Sequence, residues 1–300
     1  MIGLGKYKDR EAVIVESGRL RATFLPRDGA KMASLIDRRS GRELLATKDG
    51  ETYRVLDYEG SYVDSECSAF DDMFPTIDPY TPTEGAYAGL TYPDHGECCR
   101  IGYSVQTEGE SVTFTARSPR FLMQYRKTVS VEGDRLDLHY VIENEGDADF
   151  PFVWAGHIML RGEDGMCLCT PFAPDAPIEM MFATEGYAPE TLPRDRLTGF
   201  VPDRGAAYKF YYLDRIPEGR FRVRYADGRE LCFLYDETKI PYLGVWLNNG
   251  EFQGIYNLAP EPCTVPFDAP HKAAERGYSS VIPAHEKLDF HIYLSLQEGE

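Results

Sequence analysis

The chain has 300 residues, of which 43% are hydrophobic and 27% are charged. This composition provides for a sizeable core and excludes a largely disordered chain. Forty-nine acidic residues against thirty-two basic ones give a formal net charge of -17, which disfavours nucleic-acid backbones and anionic membranes as partners. The sequence has no apolar run near the roughly 20 residues that span a bilayer and no apolar signal core, so we expect a cytoplasmic protein.

The seven cysteines are odd in number and irregularly spaced. In a long chain that can build its own core, this pattern indicates reduced thiols and not a disulfide framework. Cys167 and Cys169 form a C-x-C pair in a predicted strand, where both thiols would share one face. Two ordinary core cysteines are the favoured interpretation of this pair, and a zinc site is the alternative.

Hydrophobic residues recur with a period of two, which is typical of half-buried strands. The early part of the chain predicts strands at Ala12–Val15, Leu20–Leu25 and Lys31–Asp37. Three pairs of alternating runs with turn residues between them predict hairpins: 123–131 with 135–143, the two halves of 221–235 joined through Asp227 and Gly228, and 240–247 with 252–258. The last predicted strand carries five alternating apolar residues: Leu288, Phe290, Ile292, Leu294 and Leu296.

Helical segments are few, because 27 glycines and 20 prolines are spread along the whole chain and favour turns and strands. Short helices are predicted at His271–Arg276 and Glu190–Leu197. No repeat, linker or change of composition divides the sequence. We therefore predict an all-β fold, with residues 1–300 forming a single large β-sandwich domain.

Two segments interrupt the strand pattern and are predicted to be site-forming loops. They are Cys67–Gly96 and Ala259–Tyr278, and both are rich in proline and aromatic residues. Long loops that also carry clustered ionisable side chains are often functional. The search for functional residues therefore concentrates on these two segments.

The order of five motifs resembles the aldose 1-epimerase (galactose mutarotase-like) family, nearly from end to end. The motifs are GAKMASLIDRRSGRELL at 29–45, FDDMFPTI at 70–77, YPDHGE at 92–97, FVWAGHIML at 152–160 and APEPCTVPFDA at 259–269. The resemblance implies a β-supersandwich, in which large antiparallel sheets present a concave sugar-binding cleft. It also implies a cofactor-independent epimerase that interconverts the α and β anomers of a free sugar.

The resemblance also implies roles for three residues. Glu261 matches the family's general base, His157 its general acid, and His95 its other sugar-contacting histidine. The sequence departs from the family where 70–72 replaces an asparagine-and-arginine motif and where 154–156 replaces an asparagine-rich one. The aspartate that holds a sugar hydroxyl in the family has no identified match.

The reaction needs a base for the C1 hydroxyl proton and an acid for the ring oxygen, with no metal or nucleotide cofactor. Glu261 lies between two prolines, which stiffen the backbone around it; the alternative is a solvated loop glutamate. His157 interrupts an apolar strand, so it is either a cleft residue or a hydrogen-bonded core histidine. The family position favours the functional interpretation of both residues.

Five further residues are predicted to contact the sugar. Trp154 can stack on a sugar face, while Asp71 and Asp72 can bind its hydroxyls or instead cap a helix or turn before Met73. The set is Asp71, Asp72, Glu97, Arg100 and Trp154. The acid-flanked loop around His95 has an H-x-E sequence, but the C-x-x-C partner of zinc deaminases is missing, so no metal site is predicted.

The leading hypothesis is thus an isomerase of the aldose 1-epimerase type acting on a small-molecule sugar. The alternative is a non-catalytic carbohydrate-binding or sensing protein on the same scaffold. A polysaccharide lyase or glycosidase is a weaker third hypothesis, because the sequence shows neither a catalytic partner domain nor extracellular targeting. The sequence leaves the sugar and the oligomeric state open.

Overall fold

The computed structural model describes residues 1–189, 192–202 and 205–299. Two large antiparallel sheets pack against each other, with a third sheet of two strands beside them. Aromatic contacts cross the space between the large sheets; the rings of Phe24 and Phe114, for example, have centroids 5.7 Å apart. This architecture confirms the predicted all-β supersandwich of large antiparallel sheets. No described helix is long and apolar enough to cross a membrane.

Twenty-two strands and two short helices are found in the described residues. The strands are β1 Ile2–Tyr7, β2 Arg10–Glu16, β3 Leu20–Leu25, β4 Lys31–Asp37, β5 Arg42–Glu43, β6 Phe70–Met73, β7 Ser104–Glu108, β8 Ser111–Arg117, β9 Met123–Glu132, β10 Arg135–Asn144, β11 Phe150–Pro151, β12 Ala155–Ile158, β13 Leu160–Arg161, β14 Cys167–Cys169, β15 Ile178–Ala183, β16 Ala207–Tyr212, β17 Arg220–Arg224, β18 Arg229–Tyr235, β19 Tyr242–Asn249, β20 Tyr256–Cys263, β21 Val281–Ile282 and β22 Lys287–Glu298. The helices are α1 Arg194–Leu197 and α2 Pro270–Glu275, and a 3₁₀ turn lies at Tyr62–Asp64.

The first sheet has twelve strands, ten of them in the order β1-β2-β3-β4-β6-β12-β20-β19-β16-β15, with β5 beside β4 and β13 beside β20. The second has eight strands in the order β14-β17-β18-β22-β10-β9-β8-β7, and the small sheet pairs β11 with β21. In the first sheet, β6, β12, β20, β19 and β16 are adjacent although they come from distant parts of the sequence. Side chains on one face of these strands are therefore brought together.

The alternating pattern of β22 reflects the burial of only one of its faces. In β22, Phe290, Ile292, Leu294 and Leu296 are buried in the core between the sheets, while the residues between them are only partly buried. Because the side chains of a strand point alternately to opposite faces, this pattern holds the register against the neighbouring β10 and β18. A slip by one residue would expose the whole apolar set.

The predicted hairpins at β9–β10 and β17–β18 are confirmed, and the predicted early strands correspond to β2, β3 and β4. The short helix predicted near His271 is present as α2. The one predicted over Glu190–Leu197 is observed as α1, while residues 190 and 191 of that prediction lie outside the described residues. The third hairpin differs, because its second strand is β20 at Tyr256–Cys263 and not 252–258.

Both predicted site loops therefore contain strand residues. β20 includes Glu261, and β6 includes Asp71 and Asp72. The alternative in which the two aspartates cap a helix or turn is wrong, because they lie inside a paired strand. A strand also positions a side chain more firmly than a loop does, since both neighbours hold its backbone.

Candidate active site

The three predicted catalytic residues converge on one face of the twelve-stranded sheet. Glu261 extends from β20 and His157 from the neighbouring β12, and Oε1 of Glu261 lies 3.4 Å from Nε2 of His157. His95 reaches the same place from the loop between β6 and β7, with its ring centroid 6.0 Å from that of His157. The structure thus brings a carboxylate and two imidazoles within reach of one small ligand.

The two prolines around Glu261 are unusual in a central strand, because proline cannot donate to a sheet hydrogen bond. Strand β20 keeps a continuous register with β19, in which Glu261 lies opposite Gly244. Its register with β12 is limited to Cys263 opposite Ala155. The sheet therefore tolerates the lost donors, and Glu261 is fixed on a strand whose backbone has little freedom.

A buried lysine that the sequence analysis missed connects Glu261 to a second carboxylate. Nζ of Lys209 lies 3.0 Å from Oε2 of Glu261 and 2.7 Å from Oδ1 of Asp268. Tyr211 donates a hydrogen bond of 2.7 Å to the same oxygen of Asp268. Gly244 makes room for this tyrosine, because a Cβ on Gly244 would lie 2.7 Å from the Tyr211 ring. One sequence signal was present: Lys209 interrupts the aromatic run of β16.

Asp71 forms a second buried ion pair on the other side of His157, to which it lies opposite in register. Its Oδ2 atom is 2.8 Å from Nζ of Lys31 and accepts a hydrogen bond of 2.7 Å from the hydroxyl of Tyr62. The Tyr62 ring stacks on His95 with centroids 4.2 Å apart, and meets the ring of His157 edge-on at 5.9 Å. Tyr62 therefore packs against both imidazoles.

Asp94 orients His95 and attaches the Tyr62 segment to it. Oδ1 of Asp94 lies 2.7 Å from Nδ1 of His95, and the backbone N–H of Tyr62 donates to Oδ2 at 2.8 Å. Burial alone would raise the pKa of Asp94, but the contact with His95 and the backbone bond lower it. Gly96 has φ +74°, and a Cβ there would lie 2.2 Å from the carbonyl oxygen of Phe74. This close approach holds the histidine loop against the sheet.

The pKa values of Glu261 and His157 are both shifted away from their ordinary values. Burial raises the pKa of Glu261 above its usual value, although Lys209 partly opposes the shift. Burial also lowers the pKa of His157 well below its usual value, and the positive charges of His95 and Lys209 add to the effect. The pair therefore holds a weakly acidic carboxyl next to an imidazole that gives up a proton readily.

Two of the predicted sugar contacts are directed away from this cluster. Asp72 follows Asp71 on β6 and so points to the opposite face, where its Oδ2 is 2.7 Å from Nζ of the buried Lys127. Glu97 is buried and accepts hydrogen bonds from the hydroxyls of Tyr58 and Tyr125. Both carboxylates already have partners, and neither lies at the surface that Glu261 and His157 share.

Arg100 and Trp154 are also engaged elsewhere. Arg100 is buried and donates to backbone carbonyls, including those of Gly96 at 2.8 Å and Tyr58 at 2.6 Å, so it ties the loops around the site together. Trp154 packs in the core between the sheets, 4.7 Å from the ring of Phe290. The prediction that this tryptophan stacks on a sugar is therefore wrong, because its ring lies on the core face of the sheet.

The fold is galactose mutarotase-like. Similar solved structures include a galactose mutarotase-like protein from Clostridium acetobutylicum, with a TM-score of 0.70, 14% identity, and coverage of 99% of this chain and 98% of that one. A candidate aldose 1-epimerase from Escherichia coli K12 has a TM-score of 0.66 and 11% identity, with coverage of 99% and 100%. A galactose mutarotase related enzyme from Lactobacillus acidophilus has a TM-score of 0.65 and 13% identity, with coverage of 96% and 98%. No protein-family model and no curated sequence matches the chain.

Proposed function

We propose that this protein is a cofactor-independent sugar isomerase of the aldose 1-epimerase type. The observation that carries the proposal is the contact of 3.4 Å between Glu261 and His157, whose pKa values are shifted in opposite directions. Groups with shifts of this kind are typical of acid–base sites. The likeness in fold to proteins with mutarotase names supports the choice of reaction.

In the proposed mechanism, the pair shares one proton, and the reactive form is the tautomer in which His157 carries this proton and Glu261 is ionised. Glu261 takes the proton of the C1 hydroxyl as His157 gives its proton to the ring oxygen, and the C1–O5 bond breaks to leave the open-chain aldehyde. Rotation about C1–C2 presents the other face of the carbonyl, and the reverse transfers close the ring. The lowered pKa of His157 suits this role, because the ring oxygen of a hemiacetal is a weak base that needs a strong acid.

The apparent pKa values of such a pair belong to the pair and not to one residue. His95 is proposed to contact the sugar beside His157, with its ring oriented by Asp94. Lys209 holds Glu261 in place from the opposite side. The contact with Lys209 limits the movement of the base, which is what accurate proton transfer requires.

The charges around the pair indicate a sugar without a phosphate group. The residues around the pair include two lysines, Lys31 and Lys209, and four carboxylates, Asp71, Asp94, Glu261 and Asp268. Each lysine is already paired, Lys31 with Asp71 and Lys209 with both Glu261 and Asp268. A phosphate would meet excess negative charge without a free cation among the cluster residues, whereas sugar hydroxyls can donate hydrogen bonds to carboxylates.

The second candidate function is sugar binding without turnover, and burial of the site is the observation that favours it. The Glu261 side chain is fully buried, and only 6% of His157 is exposed beneath Tyr62. The deciding experiment is polarimetry or NMR on fresh α-anomers of several aldoses, compared with the spontaneous rate. Acceleration of at least one sugar supports the isomerase; binding without acceleration supports the second candidate, and neither binding nor acceleration contradicts both.

A further inference from the structure

A cluster of two histidines and two aspartates lies on the eight-stranded sheet, away from Glu261. His139 of β10 is directly opposite His291 of β22, and their rings are parallel within 1° with centroids 4.0 Å apart. Oδ1 of Asp289 is 2.8 Å from Nε2 of His139, and Oδ1 of Asp137 is 2.8 Å from Nδ1 of His291. All four side chains are partly buried on the face turned away from the core.

We propose that His139, Asp289 and His291 bind a divalent transition-metal ion of the zinc, nickel or copper class. One ligand atom from each of the three residues lies within 4.8 Å of the other two. Imidazole nitrogen and carboxylate oxygen are the ligand types that suit these ions. The site would leave at least one coordination position to water.

The distances are close to those of a bound ion, but the two parallel rings must turn, because an imidazole nitrogen binds a metal through the lone pair in its ring plane. Bonds of about 2.0–2.1 Å in tetrahedral geometry place neighbouring ligand atoms about 3.3–3.4 Å apart. The contact of 2.8 Å between His139 and Asp289 must therefore open slightly, and the two rings at 4.0 Å must tilt toward each other. The ion would replace the proton that lies between Nε2 of His139 and Asp289. The neutral His139 ring would then carry its proton on Nδ1, and Nε2 would bind the ion.

Neighbouring groups already orient the ligands. Asp137 holds Nδ1 of His291, which leaves Nε2 for the ion and gives the carboxylate–histidine–metal arrangement common at metal sites. Lys287 contacts Oδ2 of Asp289 at 2.8 Å and leaves Oδ1 on the side of His139.

The backbone beneath the cluster is rigid enough to preserve this geometry. Strands β10 and β22 are the two central strands of their sheet and pair without interruption from Leu136 opposite Leu294 to Glu143 opposite Lys287. An ion bound here would bridge the two strands. It would take no part in the proton transfers at Glu261, which belongs to the other sheet.

The test is isothermal titration of the full chain with zinc and nickel salts after removal of metals with a chelator. The wild type is expected to bind one ion per chain, and His291→Ala should weaken binding at least tenfold. His285→Ala is the matched control, because His285 also contacts an aspartate, Asp147 at 2.9 Å, but is not part of the cluster. The control variant should keep the affinity of the wild type.

Two further variants make the result independent of folding defects and of the thiols. Asp137→Asn removes only the orienting carboxylate and should weaken binding about 10- to 100-fold. The double variant Cys167→Ser with Cys169→Ser should bind the ion with the affinity of the wild type. Nitrogen NMR of the histidine rings should show metal-dependent shifts at His139 and His291. Absence of binding by the wild type, or binding that survives His291→Ala or is lost with the two cysteines, overturns the proposal.

Discussion

The carboxylate of Glu261 and the imidazole of His157 contact each other from neighbouring strands at 3.4 Å, yet the motifs that contain them are far apart in the sequence. Neither group has an ordinary environment, because the fold buries both and places Lys209 on the far side of the carboxylate. Burial raises the pKa of Glu261 and lowers that of His157, so substitutions at these two positions test the proposed proton transfer.

Replacing Glu261 by glutamine should abolish most of the activity while the fold persists. Glutamine keeps the size of the side chain but cannot take the C1 hydroxyl proton, so the anomerisation rate should fall about 10²- to 10⁴-fold. Polarimetry on the sugar that the wild type accelerates measures the effect. Glu97→Gln is the matched control, since Glu97 is also buried but is bonded to Tyr58 and Tyr125 away from the pair.

The double variant Glu261→Gln with His157→Gln should be no slower than about the worse single variant. Both residues serve one proton exchange, so their defects should not multiply. An equally active Glu261→Gln protein would show that another group is the base. Multiplying defects would show that the two residues act in separate steps.

The free energy of unfolding should fall at acidic pH because of His157. Burial and nearby positive charges lower the pKa of His157 in the folded protein, whereas the same histidine in the unfolded chain has a pKa near 6.5. Below that pH the unfolded state binds a proton that the folded state does not bind, so the free energy of unfolding decreases as the pH falls. Urea unfolding from pH 7.5 to 5 should show a smaller loss for His157→Gln than for the wild type; identical slopes would contradict the assignment.

Lys209 and Lys127 offer a comparison between two buried ion pairs. Removing one partner of such a pair typically costs about 3–5 kcal/mol, so Lys209→Met and Lys127→Met should both lower the free energy of unfolding. Only Lys209→Met should also move the acidic limb of the activity profile to higher pH, because Glu261 loses the cation that favours its ionised form. Denaturant titration and initial rates from pH 4 to 8 measure the two effects. The same shift in Lys127→Met would show that the limb does not report on Glu261.

Tyr62 should control access to the two imidazoles. Its ring stacks on His95 and contacts His157 edge-on, so removing it opens space beside both imidazoles. Tyr62→Ala should therefore speed the modification of His157 by diethyl pyrocarbonate, followed by peptide mass spectrometry. Tyr58→Ala is the control from the same segment, because Tyr58 bonds to Glu97 instead. Equal rates in the wild type and Tyr62→Ala would show that the segment is no barrier.

Much of the candidate site could be found from the sequence because it resides in short motifs. Glu261, His157 and His95 were located by the order of three segments along the chain, and the structure places them together; their catalytic roles stay predictions. Lys209 interrupts an aromatic strand and Asp268 lies in the same motif as Glu261, yet both were missed, because a local pattern does not show that the two groups meet. Lys209 meets Glu261 because β16 lies two strands from β20 in the sheet, and Asp268, which follows β20, joins the cluster through Lys209.

By itself, the sequence determined the half-buried strands such as β9, β10, β17, β18 and β22, because alternation of apolar and polar residues is a local property that the chain displays wherever one face is buried. It also determined the tight hairpins, whose turn residues lie between the strands that they join. Only the tertiary structure decided which face each ionisable residue occupies. Asp71 and Asp72 are adjacent in sequence, yet one joins the site and the other pairs with Lys127 in the core. Trp154 faces the core for the same reason. The order of the strands in a sheet and the face that is buried depend on contacts between distant segments, and a local pattern does not contain them.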